Sequence, residues 1–243
     1  QAGEIAALAA QRIDADQDLD VVGGWAGLLV ALESLRAVVP RPRWDDVMTA
    51  CGKPLRAGAE RLSTGVGWKT RIGGPEPATG FSHGAAGIVW ALLRLHRRSG
   101  AAELLAPARE GMRFENTLFD ERERNWLDPG SRRSGGEPRA TDATNMAAPC
   151  YGAPGIGLAR LAALSVDTGG EPRRDVERAA AATRASGFGK NHCLCHGSLG
   201  NLDFLFQAAG ALGDAGLAKE ARHLAAGVLA SLERDGNLCG MPM

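Results

Sequence analysis

The chain has 243 residues with 28 basic and 28 acidic side chains, 44% hydrophobic residues and a single tyrosine. That length supports one sizeable domain, and a composition rich in Ala, Leu, Gly and Arg favours helices over strands. The charge balance argues against nucleic acid or an anionic membrane surface as partner, and no apolar run approaches the ~18 residues of a spanning helix.

Five cysteines stand at 51, 150, 193, 195 and 239, an odd count in a chain with no visible secretory signal. Such usage predicts a reducing, cytoplasmic setting in which thiols serve as ligands and not as staples.

In chain order, an amphipathic segment at 3–13 is followed by Asp20-Val-Val-Gly23-Gly24-Trp-Ala-Gly27, which opens an apolar stretch at 28–32. A charged amphipathic segment covers 44–62, and a long connection runs over 63–80. Gly80-Phe-Ser82-His83-Gly84-Ala-Ala-Gly87 then opens 88–95, with a half-buried segment at 101–113 behind it. A second long connection covers 116–149. Ala148-Pro-Cys150-Tyr151-Gly152-Ala-Pro-Gly155 opens 156–161, backed by 172–185. Cys193-Leu-Cys195-His196-Gly197-Ser-Leu-Gly200 opens 202–206, backed by 217–233, where Leu217, Ala221, Leu224, Val228 and Leu232 recur at helical spacing. Buried helices thus alternate with half-buried ones.

The shared glycines 24, 84, 152 and 197 lie 60, 68 and 45 residues apart, which fits one helical hairpin per unit with variable loops. A closed ring of hairpins points every inner-helix N-terminus at one central mouth, whereas an open solenoid spreads them along a surface. The expected architecture is an all-α α/α toroid, with strands minor or absent.

The reactive residue types share two columns. Just before the shared glycine stand Gly23, His83, Tyr151 and His196; one place earlier stand Val22, Ser82, Cys150 and Cys195. Each Gly-x-x-Gly alone is a packing device, and a single buried cysteine behaves as a small hydrophobe. Two cysteines in one column, one followed by histidine, instead form a Cys₂His set of the kind that binds catalytic Zn²⁺ and leaves a fourth position open. His192 and Cys193 are secondary candidates outside both columns. His83 suits acid–base work near neutral pH or a plain capping role. Asp20 either orients an imidazole or caps its helix, and Tyr151 either donates into the mouth or packs there. His96 and His223 fall on polar helix faces and are expected to be solvated, while Cys51 and Cys239 have no partner pattern. A carbohydrate-active toroid needs paired carboxylates, and the four aligned segments hold only Asp20.

The segments 80–87, Cys150-Tyr-Gly-Ala-Pro-Gly-Ile-Gly157 and Asn191-His-Cys-Leu-Cys-His-Gly197 resemble the lanthionine cyclase (LanC-like) family, most of all the C-terminal cyclase domain of class II lanthipeptide synthetases. The resemblance extends from about Asp20 to Gly240. It implies a double ring of inner and outer helices, one catalytic Zn²⁺ on Cys150, Cys195 and His196, acid–base roles for His83 and Asp20, and Tyr151 at the zinc mouth. The implied reaction adds a precursor-peptide cysteine to dehydroalanine or dehydrobutyrine, giving a thioether ring. The implied partners are the dehydrated precursor peptide and a dehydratase domain of the same parent chain. A zinc protein of this family that binds glutathione or thiol peptides without cyclising them is the alternative. Pro149 and Cys193 depart from the family's common Trp and Ser. Its final glycine-rich repeat would follow Gly240, so residues 1–243 are expected to be a cyclase domain cut from a longer chain.

Overall fold

The computed structural model describes residues 18–39, 43–72, 75–127, 146–166 and 169–239. Helix α1 (Trp25–Val38) is followed by α2 (Arg43–Ala57) and a two-stranded antiparallel hairpin of β1 (Glu60–Arg61) and β2 (Val66–Gly67). Helix α3 (Ala85–Ser99) leads through a 3₁₀ turn at Ala102–Leu104 into α4 (Leu105–Asn116). A second small hairpin pairs β3 (Phe119–Asp120) with β4 (Asn125–Trp126), and α5 (Ala153–Ala163), α6 (Glu171–Ser186), α7 (Ser198–Leu212) and α8 (Ala215–Asp235) complete the described chain.

The layering is that of an α/α toroid. Helices α1, α3, α5 and α7, each opened by a Gly-x-x-Gly, pack on one another in chain order, and α2, α4, α6 and α8 back them as an outer row. Burial follows the layers. Ala85, Ala86, Ile88, Val89, Ala91, Leu92, Leu93 and Leu95 are all buried on inner α3, whereas outer α8 buries only Leu217, Ala221 and Val228. Small residues on the inner helices let backbones approach closely. A Cβ on Gly157 of α5 would meet the Phe204 ring of α7 at 2.3 Å. Two apolar clusters result, one around Trp68, Leu92 and Met48 and the other around Phe204, Ile156 and Trp126. No described helix is long and apolar enough to cross a membrane.

Two expectations need adjustment. The amphipathic stretch at 44–62 is helical only to Ala57, because Gly58 and the β1–β2 hairpin take over. His96 is not simply solvated, since it is half-buried with Nδ1 2.9 Å from the Ala101 carbonyl, closing the turn after α3. The 3–13 segment lies outside the described residues. The long connections also carry order: their described parts hold the two hairpins, and residues 128–145 fall outside the description.

A buried charge network ties the layers together. Arg160 of inner α5 is fully buried; its Nη1 lies 2.9 Å from Glu115 Oε2 of α4, and its Nε 3.0 Å from Asp175 Oδ2 of α6. Its remaining Nη2 donates to the Met112 carbonyl and to Asn116 Oδ1. Glu115 Oε1 in turn accepts from the backbone N–H of Gly80 at 3.4 Å, so the network reaches the turn that carries His83.

The repeat has a physical cause. The second glycine of every motif faces the carbonyl of the residue three places before the first: Val21 O, Phe81 O, Pro149 O and Leu194 O would lie 1.9, 2.0, 2.1 and 1.9 Å from a Cβ on Gly27, Gly87, Gly155 and Gly200. That close approach excludes any side chain. We expect Gly87→Ala to cost about 1–3 kcal/mol or more in urea unfolding, because the clashing atom is backbone. An unchanged midpoint would mean that the turn relaxes freely.

Candidate metal and catalytic site

Each of the four turns folds back over the helix it opens. The N–H of Trp25, Ala85 and Ser198 donates to the carbonyl of Asp18, Ala78 and Asn191, capping its helix with backbone in place of a side chain. In the third turn Asn125 Oδ1, from strand β4, accepts from Ala153 N at 2.8 Å instead, and Gly152 takes a φ of +87°. That positive φ is a conformation few residues other than glycine adopt.

The turns then bond to one another. Val21 N donates to Ser82 O at 3.1 Å, Phe81 N and Ser82 N donate to Cys150 O at 3.1 and 3.2 Å, and Cys150 N donates to Cys195 O at 2.9 Å. Every acceptor in this chain of bonds is the carbonyl of the Ser82, Cys150 and Cys195 column. The columns found in the sequence are therefore joined turn to turn, bringing Asp20 beside His83, His83 beside Tyr151, and Cys150 beside Cys195.

In the first two turns, Asp20 is buried; its Oδ2 lies 2.5 Å from His83 Nδ1 and its Oδ1 accepts from Gly23 N at 2.7 Å. A carboxylate can only accept, so this bond takes the tautomer with its proton on Nδ1. Thr70 Oγ1 donates to the His83 carbonyl at 2.6 Å, fixing the backbone beneath the ring. Tyr151 presents its ring 6.3 Å from the imidazole, centroid to centroid. Of the two roles open to Asp20, orienting the imidazole is realised here, and its N–H contact to Gly23 adds a local cap.

The third and fourth turns hold the sulfur groups. Burial first, and the neighbouring Cys195 sulfur second, push the Cys150 thiol up to about 11. Cys195 Sγ lies 2.7 Å from His196 Nδ1, while His196 Nε2 is buried with no hydrogen-bond partner. Soft sulfur and imidazole donors beside a buried, unsatisfied ring nitrogen suit Zn²⁺ by chemistry. The cage is not preformed: among the described residues no three His, Cys, Asp or Glu side chains converge in metal-holding geometry. Cys195 Sγ and His196 Nδ1 instead share a single hydrogen bond, one as donor and the other as acceptor.

His192 is no competing ligand. It is buried with both nitrogens committed, Nδ1 accepting from Leu238 N at 3.1 Å and Nε2 donating to Ser231 Oγ at 3.1 Å. Cys51 is a core residue whose thiol burial pushes up to about 12, and His223 is exposed on α8. Two features of the neighbourhood escape the sequence. Val22 and Leu194, 65% and 70% exposed, put apolar side chains on the first and fourth turns. Cys239, which has no partner pattern in sequence, lies beside Cys193.

Comparison with known proteins bears on the fold and the family. No curated protein matches the chain. Among solved structures, nisin cyclase matches with a TM-score of 0.64 at 19% identity, over 89% of this chain and 57% of its own. Identity that low speaks for the fold alone, and the chain spans little more than half the length of that relative. The family described as lanthionine synthetase C-like protein matches residues 2–243. A family match over nearly every residue, on a fold shared with nisin cyclase, places this chain in the lanthionine synthetase C-like family.

Proposed function

We propose that the protein is a zinc-dependent lanthipeptide cyclase. It joins a cysteine thiol of a dehydrated precursor peptide to a dehydroalanine or dehydrobutyrine of the same peptide, forming a (methyl)lanthionine thioether. The observation that supports this reading is the run of backbone bonds joining the four turns, which carry the Asp20–His83 pair and Cys150, Cys195 and His196.

Cys150, Cys195 and His196 would hold the Zn²⁺, which when bound supplies a lowered thiol pKa and so a thiolate at neutral pH. The chain's own groups account for the proton balance. The sulfur loses its proton, a C–S bond forms at the β-carbon as the C=C π bond breaks, and one proton must reach the α-carbon. His83 Nε2 takes up the proton that the sulfur loses and then delivers it to the α-carbon, while its Nδ1–H is held by the buried Asp20 carboxylate, which orients the ring. Tyr151 borders the same space and is assigned a hydrogen bond to the substrate carbonyl. Exposed Val22 and Leu194 offer an apolar rim to a peptide. The dehydratase that supplies the substrate, carried on the same parent chain, and a cytoplasmic location complete the proposal.

Metal analysis tests it. The purified wild-type protein is expected to carry about one zinc per chain, and Cys195→Ala to lose most of it, since removing one of three ligands opens the set. Equal zinc in both proteins overturns the ligand assignment. Thioether formation on a dehydrated peptide, assayed beside simple glutathione binding, separates a cyclase from a thiol-binding relative.

A further inference from the structure

The chain beyond α8 returns to the fourth turn and is fastened there. Gly236, at φ +74°, turns the backbone out of the helix. His192 N then donates to Leu238 O at 2.8 Å, and Leu238 N donates back to His192 Nδ1 at 3.1 Å. Ser231 Oγ holds the far side of the His192 ring while donating to Asp235 Oδ2 at 3.1 Å. One residue further along each segment of this contact stand Cys193 and Cys239, near enough that the Cys193 thiol pushes the Cys239 thiol above its ordinary value. Asn237 Oδ1 also takes the Cys239 thiol at 3.4 Å. The Cys193 backbone is fixed from both sides, its N–H donating to Asn191 Oδ1 and its carbonyl accepting from Gly200 N. Both sulfurs are unpaired by disulfide, Cys239 exposed and Cys193 half-buried.

We propose that Cys193 and Cys239 are a reversible dithiol–disulfide site, closed by a small-molecule disulfide of the oxidised-glutathione class. The sulfur of one cysteine attacks the oxidant as its thiolate, releasing one small thiol and forming a mixed disulfide. The second cysteine then displaces the remaining small thiol. Both protein thiols give up their protons, one S–S bond forms between them, and the oxidant is reduced to two thiols. This pair is placed for the exchange, whereas Cys51 is buried in the core and Cys195 is engaged with His196. In the closed form, Asn237–Cys239 is covalently clasped to the turn that carries Cys195 and His196. The clasp also fixes one wall of a cavity of about 270 Å³ lined by Phe188, His192, His223, Val228 and Leu238. In a reducing compartment such a bond is a sensor and not a staple. The site does not depend on a bound metal.

The test treats the full chain with graded oxidised glutathione and maps disulfides by non-reducing peptide mass spectrometry. The expected first product joins the peptides of Cys193 and Cys239, is two hydrogens lighter, and is reversed by reductant. Backbone amides of 237–239 are then expected to exchange at least ~10-fold more slowly than in the reduced chain. In Cys239→Ser, at an exposed position, the cross-link disappears and Cys193 stops at the mixed disulfide. A first cross-link between Cys150 and Cys195, or separate mixed disulfides at Cys193 and Cys239 with no bond between them, overturns the proposal.

Discussion

Arg160→Ala is expected to destabilise the fold by about 3–5 kcal/mol, the cost typical of removing one partner from a buried charge network. In a domain of this size that lowers the unfolding midpoint by roughly 6–20 °C. Arg160, Glu115 and Asp175 are all essentially inaccessible to solvent, so removing the guanidinium leaves two carboxylates buried without a counter-charge. Burial already pushes the Glu115 carboxyl up even with Arg160 present to pull it down. Without Arg160 the Glu115 carboxyl loses that pull and sits further above its unfolded value. A carboxyl raised in the folded state favours folding at low pH and loses that contribution as pH rises. The deficit of Arg160→Ala is therefore expected to be smaller near pH ~5 than near pH ~8. Glu115→Gln in the same background removes one stranded charge and recovers part of the loss. Thermal unfolding at the two pH values checks both statements, and a pH-independent loss below ~1 kcal/mol would show that water reaches the network.

The second large effect is on chemistry. His83→Asn is expected to lower the cyclisation rate by about 10²–10⁴-fold, the range for a positioned general acid or base, while leaving zinc content and unfolding midpoint unchanged. Asn preserves a polar group beside Asp20 but cannot carry a proton to the α-carbon. Asp20→Asn is expected to impair the same step through the imidazole, because an amide can present a donor to Nδ1 and destabilise the orientation that frees Nε2. Ring formation at the wild-type rate in His83→Asn removes that residue from the mechanism. A parallel loss of zinc would instead place His83 among the groups that build the metal site. Ring formation followed by mass spectrometry, with metal analysis on the same samples, separates these results.

Much of the architecture can be read in the chain because glycine has so few reasons to recur. Four Gly-x-x-Gly motifs report four places where a carbonyl presses on a helix backbone, and the structure repeats that contact at Gly27, Gly87, Gly155 and Gly200. The columns beside them consequently become neighbours in space. The helical spans follow from apolar density, with errors at ends such as Ala57, where a hairpin competes for the same charged residues. Two contacts leave no mark of periodicity. His96 binds a carbonyl only because the chain turns at Gly100, and Cys239 meets Cys193 only because Gly236 redirects the backbone after α8.

The sequence alone determined the helical hairpin repeat, the two columns of reactive residues and the family, since all three rest on residue types at fixed local offsets. Tertiary structure decided which reactive and charged residues come together. Asp20 chooses His83, His192 is withdrawn into hydrogen bonds with Leu238 and Ser231, and the Arg160 network props the turn at Gly80. Such pairings depend on atoms brought within about 3 Å from distant parts of the chain, and the packing of inner on outer helices sets that distance.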